Sequence, residues 1–250
     1  MLLTVIMIMH ENELFEVAKS IKYKVPQIFL DYDGTLVPII KDPEINQADG
    51  ELINLLSSLA RSYETYIVTG RDVKEITNFI GEYNIIGLHG ATFRINGETL
   101  FMPGFHEYEE LSLKLYRENY CMIDIFSGLN IYRKSGGVLF HTGNITSKST
   151  RKAVMEEVKS LALQYNMEMY TGIDIFELRI PGVNKGRAIK MVRNSGRQAI
   201  IMGDDATDED AFQMNPDAIT IKVGNQDTLA RYIISYSSVR SFLQALLTDP

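Results

Sequence analysis

Residues 25–36 read VPQIFLDYDGTL, and their interpretation decides the fold. Val25–Asp31 is a short apolar run that stops abruptly at charge and glycine, the pattern of a strand buried in a parallel sheet. Side chains alternate along an extended backbone, so Asp31 and Asp33 are expected on one side and Tyr32 on the other. Two carboxylates that close repel each other, and a divalent cation between them would relieve the cost. Gly34 permits a sharp turn and a close backbone approach to a ligand. An acidic surface turn after a buried strand is the bland alternative, since Asp and Gly are common in turns.

Downstream of this strand the chain alternates. A helix is predicted near Asp49–Arg61, with Leu52, Leu55, Leu56 and Leu59 at helical spacing and Asp49 as N-cap. Tyr66–Thr69 reads as the second strand. A helix follows from about Asp72, with Val73, Ile76, Phe79 and Ile80 on one face, and Asn84–Leu88 is the third strand. Such alternation implies a parallel sheet covered by helices on both faces.

From about Ala91 the pattern becomes hairpin-rich. Asn96-Gly97 lies between extended segments in Phe93–Met102. A helix near His106–Asn119 comes next, then strands at Met122–Phe126, Leu129–Lys134 and Val138–His141. A long helix over Ser147–Tyr165 precedes a pair of strands at Met167–Tyr170 and Ile175–Ile180. Alternation resumes with a helix from Asn184, a strand at Ala199–Met202, a helix from about Asp208, a strand at Ala218–Val223 and two short helices. The expected organisation is an α/β core over residues 1–90 and 179–250, interrupted by an α+β insertion over 91–178.

Three further groups fall at predicted strand or helix ends, where ligands of open α/β sheets bind. Thr69-Gly70-Arg71 offers a hydroxyl and backbone N–H suited to a phosphate oxygen, or else a helix N-terminal turn capped by Asp72. Lys185, at a helix start, opposes the helix dipole unless an anion is near; otherwise it is a solvated surface lysine. Gly203–Asp210 reads GDDATDED, with five carboxylates in seven positions. Capping accounts for Asp208, Glu209 and Asp210, but a metal accounts better for Asp204 and Asp205.

In this order the groups resemble the four motifs of the haloacid dehalogenase superfamily: Asp31–Leu36, Thr69-Gly70, Lys185 and Asp204-Asp205. The insertion resembles that superfamily's C2-type cap, and the resemblance implies a Rossmann-like core. FLDYDGTLVP (29–38), Thr69–Asp72, GLHG (87–90), Val183–Gly186 and GDDATDEDAF (203–212) look like the trehalose-6-phosphate phosphatases. The family tends to carry an acidic-then-basic cluster and a His-Tyr-Arg in the cap. Here Tyr132 stands at the acidic place, and Thr142-Gly143 follows His141.

The resemblance implies an Mg²⁺-dependent phosphatase acting on a sugar phosphate, with Asp31 as nucleophile, Asp33 as acid and base, and Thr69 and Lys185 holding the phosphoryl group. It assigns the metal to an Asp31 oxygen, Asp204, the Asp33 backbone carbonyl and water, with Asp205 or Asp208 acting behind these ligands or through water. Substrate contacts are expected from Gly70, Arg71, His89, Lys134, His141 and Glu177. Trehalose 6-phosphate is the first expectation, with a glycosylglycerate or sucrose phosphate as the alternative. A non-catalytic sensor on the same scaffold is disfavoured by the presence of both Asp31 and Asp33.

A formal net charge of -7 with no basic cluster argues against nucleic acid and anionic membranes as partners. Cys121 is the only cysteine, which excludes an internal disulfide and points to a reducing, cytoplasmic setting. The apolar start MLLTVIMIM lacks a basic leader and a small-residue cleavage site, so it is expected to be an extra strand or sequence upstream of a start at Met7 or Met9.

Overall fold

The computed structural model describes residues 11–40 and 45–248. The expectation for the N-terminal apolar run lies outside them. Two compact units emerge, one built from the described residues up to Leu100 and from Asn184 onward, the other from Phe101–Val183.

The first unit is a doubly wound eight-stranded sheet in the order β12 (Tyr232–Ile234), β11 (Ile219–Val223), β10 (Ala199–Gly203), β1 (Gln27–Asp31), β2 (Thr65–Val68), β3 (Asn84–Gly87), β4 (Thr92–Ile95), β5 (Glu98–Phe101). Strands β1, β2, β3, β10, β11 and β12 are parallel. The chain winds from β1 through β2 and β3 to one side, and returns through β10, β11 and β12 on the other. β1 is therefore the topological switch point, with β2 and β10 as its neighbours.

Burial on both faces explains the apolar strands. Ile28 and Leu30 pack with α1 (Glu11–Ile21), α2 (Gly50–Ser62), α3 (Val73–Ile80) and α9 (Val239–Leu247). Phe29 faces the other layer with α7 (Lys185–Val192) and α8 (Ala206–Met214). Asp49 caps α2 as expected, its side chain accepting the Leu52 N–H at 2.8 Å.

Four sequence expectations change. The hairpin β4 (Thr92–Ile95) and β5 (Glu98–Phe101) continues the core sheet, with β4 antiparallel to β3, so the second unit begins at Phe101 rather than near 91. Met122–Ile125 is a helical turn, α5, because Tyr120 and Cys121 keep helical dihedrals after α4 (Phe105–Asn119). α8 begins at Ala206, capped by Asp205, not at Asp208. The stretch after β11 forms β12 before the C-terminal helix, since its Tyr-Ile-Ile run pairs onto β11. Helix α1 was not anticipated; its apolar face packs on α9 and β12.

The second unit is a four-stranded antiparallel sheet, order β6-β7-β9-β8, made by β6 (Asn130–Lys134), β7 (Gly137–His141), β8 (Glu168–Gly172) and β9 (Ile175–Arg179). Ile131, Val138, Phe140, Phe176 and Leu178 point to one face and pack on α4 and α6 (Lys148–Gln164). Alternation puts Tyr132, Lys134, Leu139, Glu177, Arg179 and Tyr170 on the other face. Among the described residues no helix is long and apolar enough to cross a membrane.

Candidate active site

Asp31 ends the central strand and is 5% exposed. Its Oδ1 accepts a 2.7 Å hydrogen bond from Lys185 Nζ, while Oδ2 is buried with no hydrogen-bond partner among the described residues. Lys185 is the first residue of α7, whose N-cap Asn184 accepts the Arg187 N–H. The ammonium also meets Asp208 Oδ1 at 2.8 Å and Asp205 at 3.8 Å. Its placement against the helix dipole is thus offset by carboxylates, not by solvent.

The acidic turn after β10 supplies these partners. Asp205 is the N-cap of α8, and Asp208 sits three residues on in a capping box. Asp205 Oδ1 accepts the Thr207 and Asp208 N–H groups, and Asp208 Oδ2 accepts those of Asp204 and Asp205. Oxygens of Asp31, Asp204 and Asp208 lie within 4.8 Å of one another. Gly34 makes this possible: a Cβ on its backbone, at φ +81°, would come 2.1 Å from Asp204 Oδ2. Thr35 Oγ1 donates to Asp204 Oδ1 at 3.4 Å.

The cluster carries more negative charge than one ammonium offsets. Burial, then Asp205 and Asp204, push the Asp31 carboxyl up to about 7 despite Lys185. Burial and the Asp208 and Asp205 charges push Asp204 up to about 6. Burial also raises Asp208, against the pull of Lys185. For Asp205 burial is outweighed by the Lys185 charge and by side-chain hydrogen bonds, and its carboxyl falls below the usual range. Burial disfavours the Lys185 ammonium, but Asp208 and Asp31 more than restore it. Three converging carboxylates, one with an orphaned buried oxygen, fit a hard divalent cation.

Asp33 is held elsewhere. Its carboxylate accepts from Arg71 Nε at 2.5 Å, from Arg71 Nη2 at 2.7 Å and from Asn46 Nδ2 at 2.9 Å. Arg71 also pairs with Glu75 and lies over the Phe79 ring. Asn46 is buried, donates also to Pro38 O, and accepts from the fully buried Tyr32 hydroxyl through its backbone carbonyl. The two aspartates therefore do not share the acidic cluster: Asp31 turns toward the β10 side and Asp33 toward Arg71 beyond β2. The expectation of a cation between those two side chains is corrected accordingly.

Thr69 is buried at the end of β2. Its N–H is spent on Ile86 O, so only the hydroxyl, which accepts the Arg71 N–H, has a proton left to give a ligand. His89 has a left-handed backbone, φ 56°, and its ring fills the space above Gly70, where a Cβ would come 2.6 Å from Cε1. Arg71 is placed as the Asp33 partner.

Lys134, Glu177 and His141 belong to the second unit. Glu177 is 3% exposed and is gripped by Lys134 at 3.0 Å and Arg179 at 2.6 Å. Burial acts to raise its carboxyl, but the two cations outweigh it and bring it below the usual range. Arg179 stacks on Tyr170, 3.8 Å from the ring centroid. His141 lies on another cross-strand row, between Asn130 and Ile175. Sequence reading missed Asn46, Thr35, Arg179 and Tyr170. Only Thr35 carried a signal, its place in Asp31–Leu36.

A sheet wound outward from a strand-terminal aspartate, with a lysine and an acidic turn closing on it and an α+β unit inserted after the hairpin, fits the class of phosphatase that the haloacid dehalogenase resemblance implies. The family model described as trehalose-phosphatase matches residues 29–232. A trehalose-6-phosphate phosphatase-related protein of Thermoplasma acidophilum is 44% identical over 87% of this chain and 95% of its own length. A bifunctional trehalose-6-phosphate synthase/phosphatase of Thermoproteus tenax is 31% identical over 88% of this chain, which spans 31% of that larger protein. A crystal structure of a trehalose-6-phosphate phosphatase related protein, 44% identical, superposes with a TM-score of 0.79 over 87% of this chain and 95% of that one. The chain belongs to the trehalose-phosphatase family.

Proposed function

We propose that this chain hydrolyses trehalose 6-phosphate to trehalose and inorganic phosphate, using Asp31 as nucleophile and Mg²⁺ as cofactor. The observation that carries the reading is the convergence of Lys185, Asp204 and Asp208 on Asp31 at the switch point of the sheet. Family membership supplies the substrate.

A carboxylate oxygen of Asp31 attacks phosphorus, and the bond to the sugar oxygen breaks as Asp33 gives that oxygen a proton. Water then attacks phosphorus of the aspartyl-phosphate, gives its proton to Asp33, and the Asp31 carboxylate is released. Arg71 and Asn46 hold Asp33 through three donors, so a proton on either oxygen faces one of them. Delivering it requires the carboxyl to turn off Arg71. Lys185 and the Thr69 hydroxyl hold phosphoryl oxygens, where positioning and charge dominate the catalysis. Asp31, Asp204 and Asp208 would hold the cation, with Asp205 shaping their turn; Mg²⁺ supplies positive charge that offsets the acidic cluster and the phosphoryl group.

In the second unit, Lys134, Glu177 and Arg179 form a charged, hydrogen-bonding surface beside Tyr132 and Tyr170, a composition suited to sugar hydroxyls and ring faces. His141 and Gly70, Arg71 and His89 are held as weaker substrate contacts. Tyr132 and Thr142-Gly143, which depart from the family pattern, favour a second reading, a phosphatase for a different disaccharide or glycosylglycerate phosphate. The test is phosphate release from a panel of sugar phosphates with and without Mg²⁺. Trehalose 6-phosphate should give the highest kcat/KM, and only with the metal. A better sucrose or glycosylglycerate substrate would replace the first reading with the second.

A further inference from the structure

Four side chains knot the acidic turn: Asp205 and Asp208 accept its N–H groups, Thr207 Oγ1 donates to Asp205 Oδ1, and Lys185 donates to Asp208. These bonds fix its internal shape. A different group reaches it from β11. Lys222, 2% exposed and in register with Gly203, places Nζ 3.5 Å from the Asp205 carbonyl oxygen and 3.3 Å from Glu209 Oε1. Glu209 in turn accepts from Thr228 Oγ1 at 2.8 Å and Leu229 N at 2.7 Å. One ammonium thus grips the first turn of α8 at its N-cap and one turn further on.

That placement is costly. A buried ammonium loses its hydration, and one near a helix N-terminus opposes the dipole. The rest of β11 is Ile219, Thr220, Ile221 and Val223, so an apolar side chain would satisfy the packing there. What only the ammonium supplies is a hold on the Asp205 carbonyl and Glu209 together.

We propose that Lys222 is a positioning residue for the metal-binding turn, fixing the start of α8 so that Asp204 and Asp208 converge on Asp31. The inference rests on the reading that these carboxylates hold a divalent cation. Two effects of removing Lys222 oppose each other. Deleting a positive charge would tighten cation binding through electrostatics, whereas releasing the turn would weaken it. The proposal requires the second to win. Loss of a group that orients metal ligands typically weakens affinity ~10–100-fold.

The test measures Mn²⁺ and Mg²⁺ binding to the metal-free full chain by calorimetry, well below the melting temperature. Lys222→Met should weaken both at least about tenfold. Lys222→Met with Glu209→Gln leaves no unpaired carboxylate, so it should melt closer to the parent while keeping the weakened binding; this variant decides the matter if the single one does not fold. Half-saturating Mg²⁺ for turnover should rise in parallel, and excess Mg²⁺ should recover the lost kcat, which general loosening of the fold would not allow. Binding within about twofold of the parent, or tighter, would overturn the role of Lys222. Failure of the parent chain to bind either ion would instead overturn the metal assignment beneath it.

Discussion

Replacing Asp31 with Asn should remove catalysis and, in the metal-free protein, raise stability. Asp31 has an ordinary carboxyl value of 3.8 and is pushed up to about 7 in the fold, chiefly by burial and then by its acidic neighbours against Lys185. Between those values the unfolded chain loses the proton while the folded chain keeps it. Folding stability therefore falls as pH rises from 3.8 toward 7 and stays low above it. A gap of roughly three pH units at 1.36 kcal/mol each corresponds to an upper bound of about 4 kcal/mol at pH 8. Asparagine keeps an oxygen that can accept from Lys185 but cannot ionise, so it escapes this cost. For a chain of this length each kcal/mol shifts Tm by roughly 2–4 °C. Thermal unfolding in EDTA should show Asp31→Asn melting above the parent at pH 8, with the advantage shrinking by more than half at pH 5. Saturating Mg²⁺ should stabilise the parent more than the variant. Equal or lower stability of the variant at pH 8, or an advantage that grows toward pH 5, would refute the charge argument. Retained phosphatase activity in the variant would refute the nucleophile.

Asp33→Asn should lower kcat on a sugar phosphate by about 10²–10⁴-fold. The loss should be smaller for formation of the aspartyl-phosphate from p-nitrophenyl phosphate, whose leaving group needs little protonation; burst kinetics separate the two steps. Gly34→Ala places a Cβ against Asp204 and a non-glycine residue at φ +81°, so calorimetry should show metal binding lost, with stability reduced by about 1–2 kcal/mol from the backbone strain alone. Glu177→Gln leaves Arg179 and Lys134 short of their shared carboxylate and should cost roughly 1–3 kcal/mol in denaturant titration at pH 7, with KM rising more than kcat falls. The Glu177 carboxyl is held below its ordinary value of 4.5, so this contribution is present above that pH and fades as pH drops through the folded value, where parent and variant should converge.

The sequence revealed most of what local chemistry controls. Val25–Asp31 announced a buried parallel strand because its apolar run has no polar face, and β1 is buried along its length. Asp49 and Asn184 cap the helices whose starts they marked. Met122–Phe126 misled because so short a stretch, apolar but for Asp124, fits strand and helix alike, and the preceding helical backbone decided between them. Asp31, Lys185 and Asp204 could be named because motif order supplied them. Asn46 could not: it sits 13 residues from Asp33 in no motif, and only the folded loop turns its amide onto that carboxylate. Lys222 was hidden for a similar reason. A lysine inside an apolar run gives no sign of which neighbouring strand will carry its partners.

The winding of the sheet also governs when this protein becomes competent. Asp31 and Lys185 are separated by 154 residues of chain yet meet at 2.7 Å. A nascent polypeptide that has emerged only as far as Leu100 already contains Asp31, but neither its ammonium partner Lys185 nor the β10 turn. On the proposed mechanism it would neither perform chemistry nor gather a cation until the segment from Asn184 onward threads back beside β1. Cation capture would thus mark the closing event of biogenesis, and a truncated product would be catalytically silent rather than a half-active, promiscuous phosphatase.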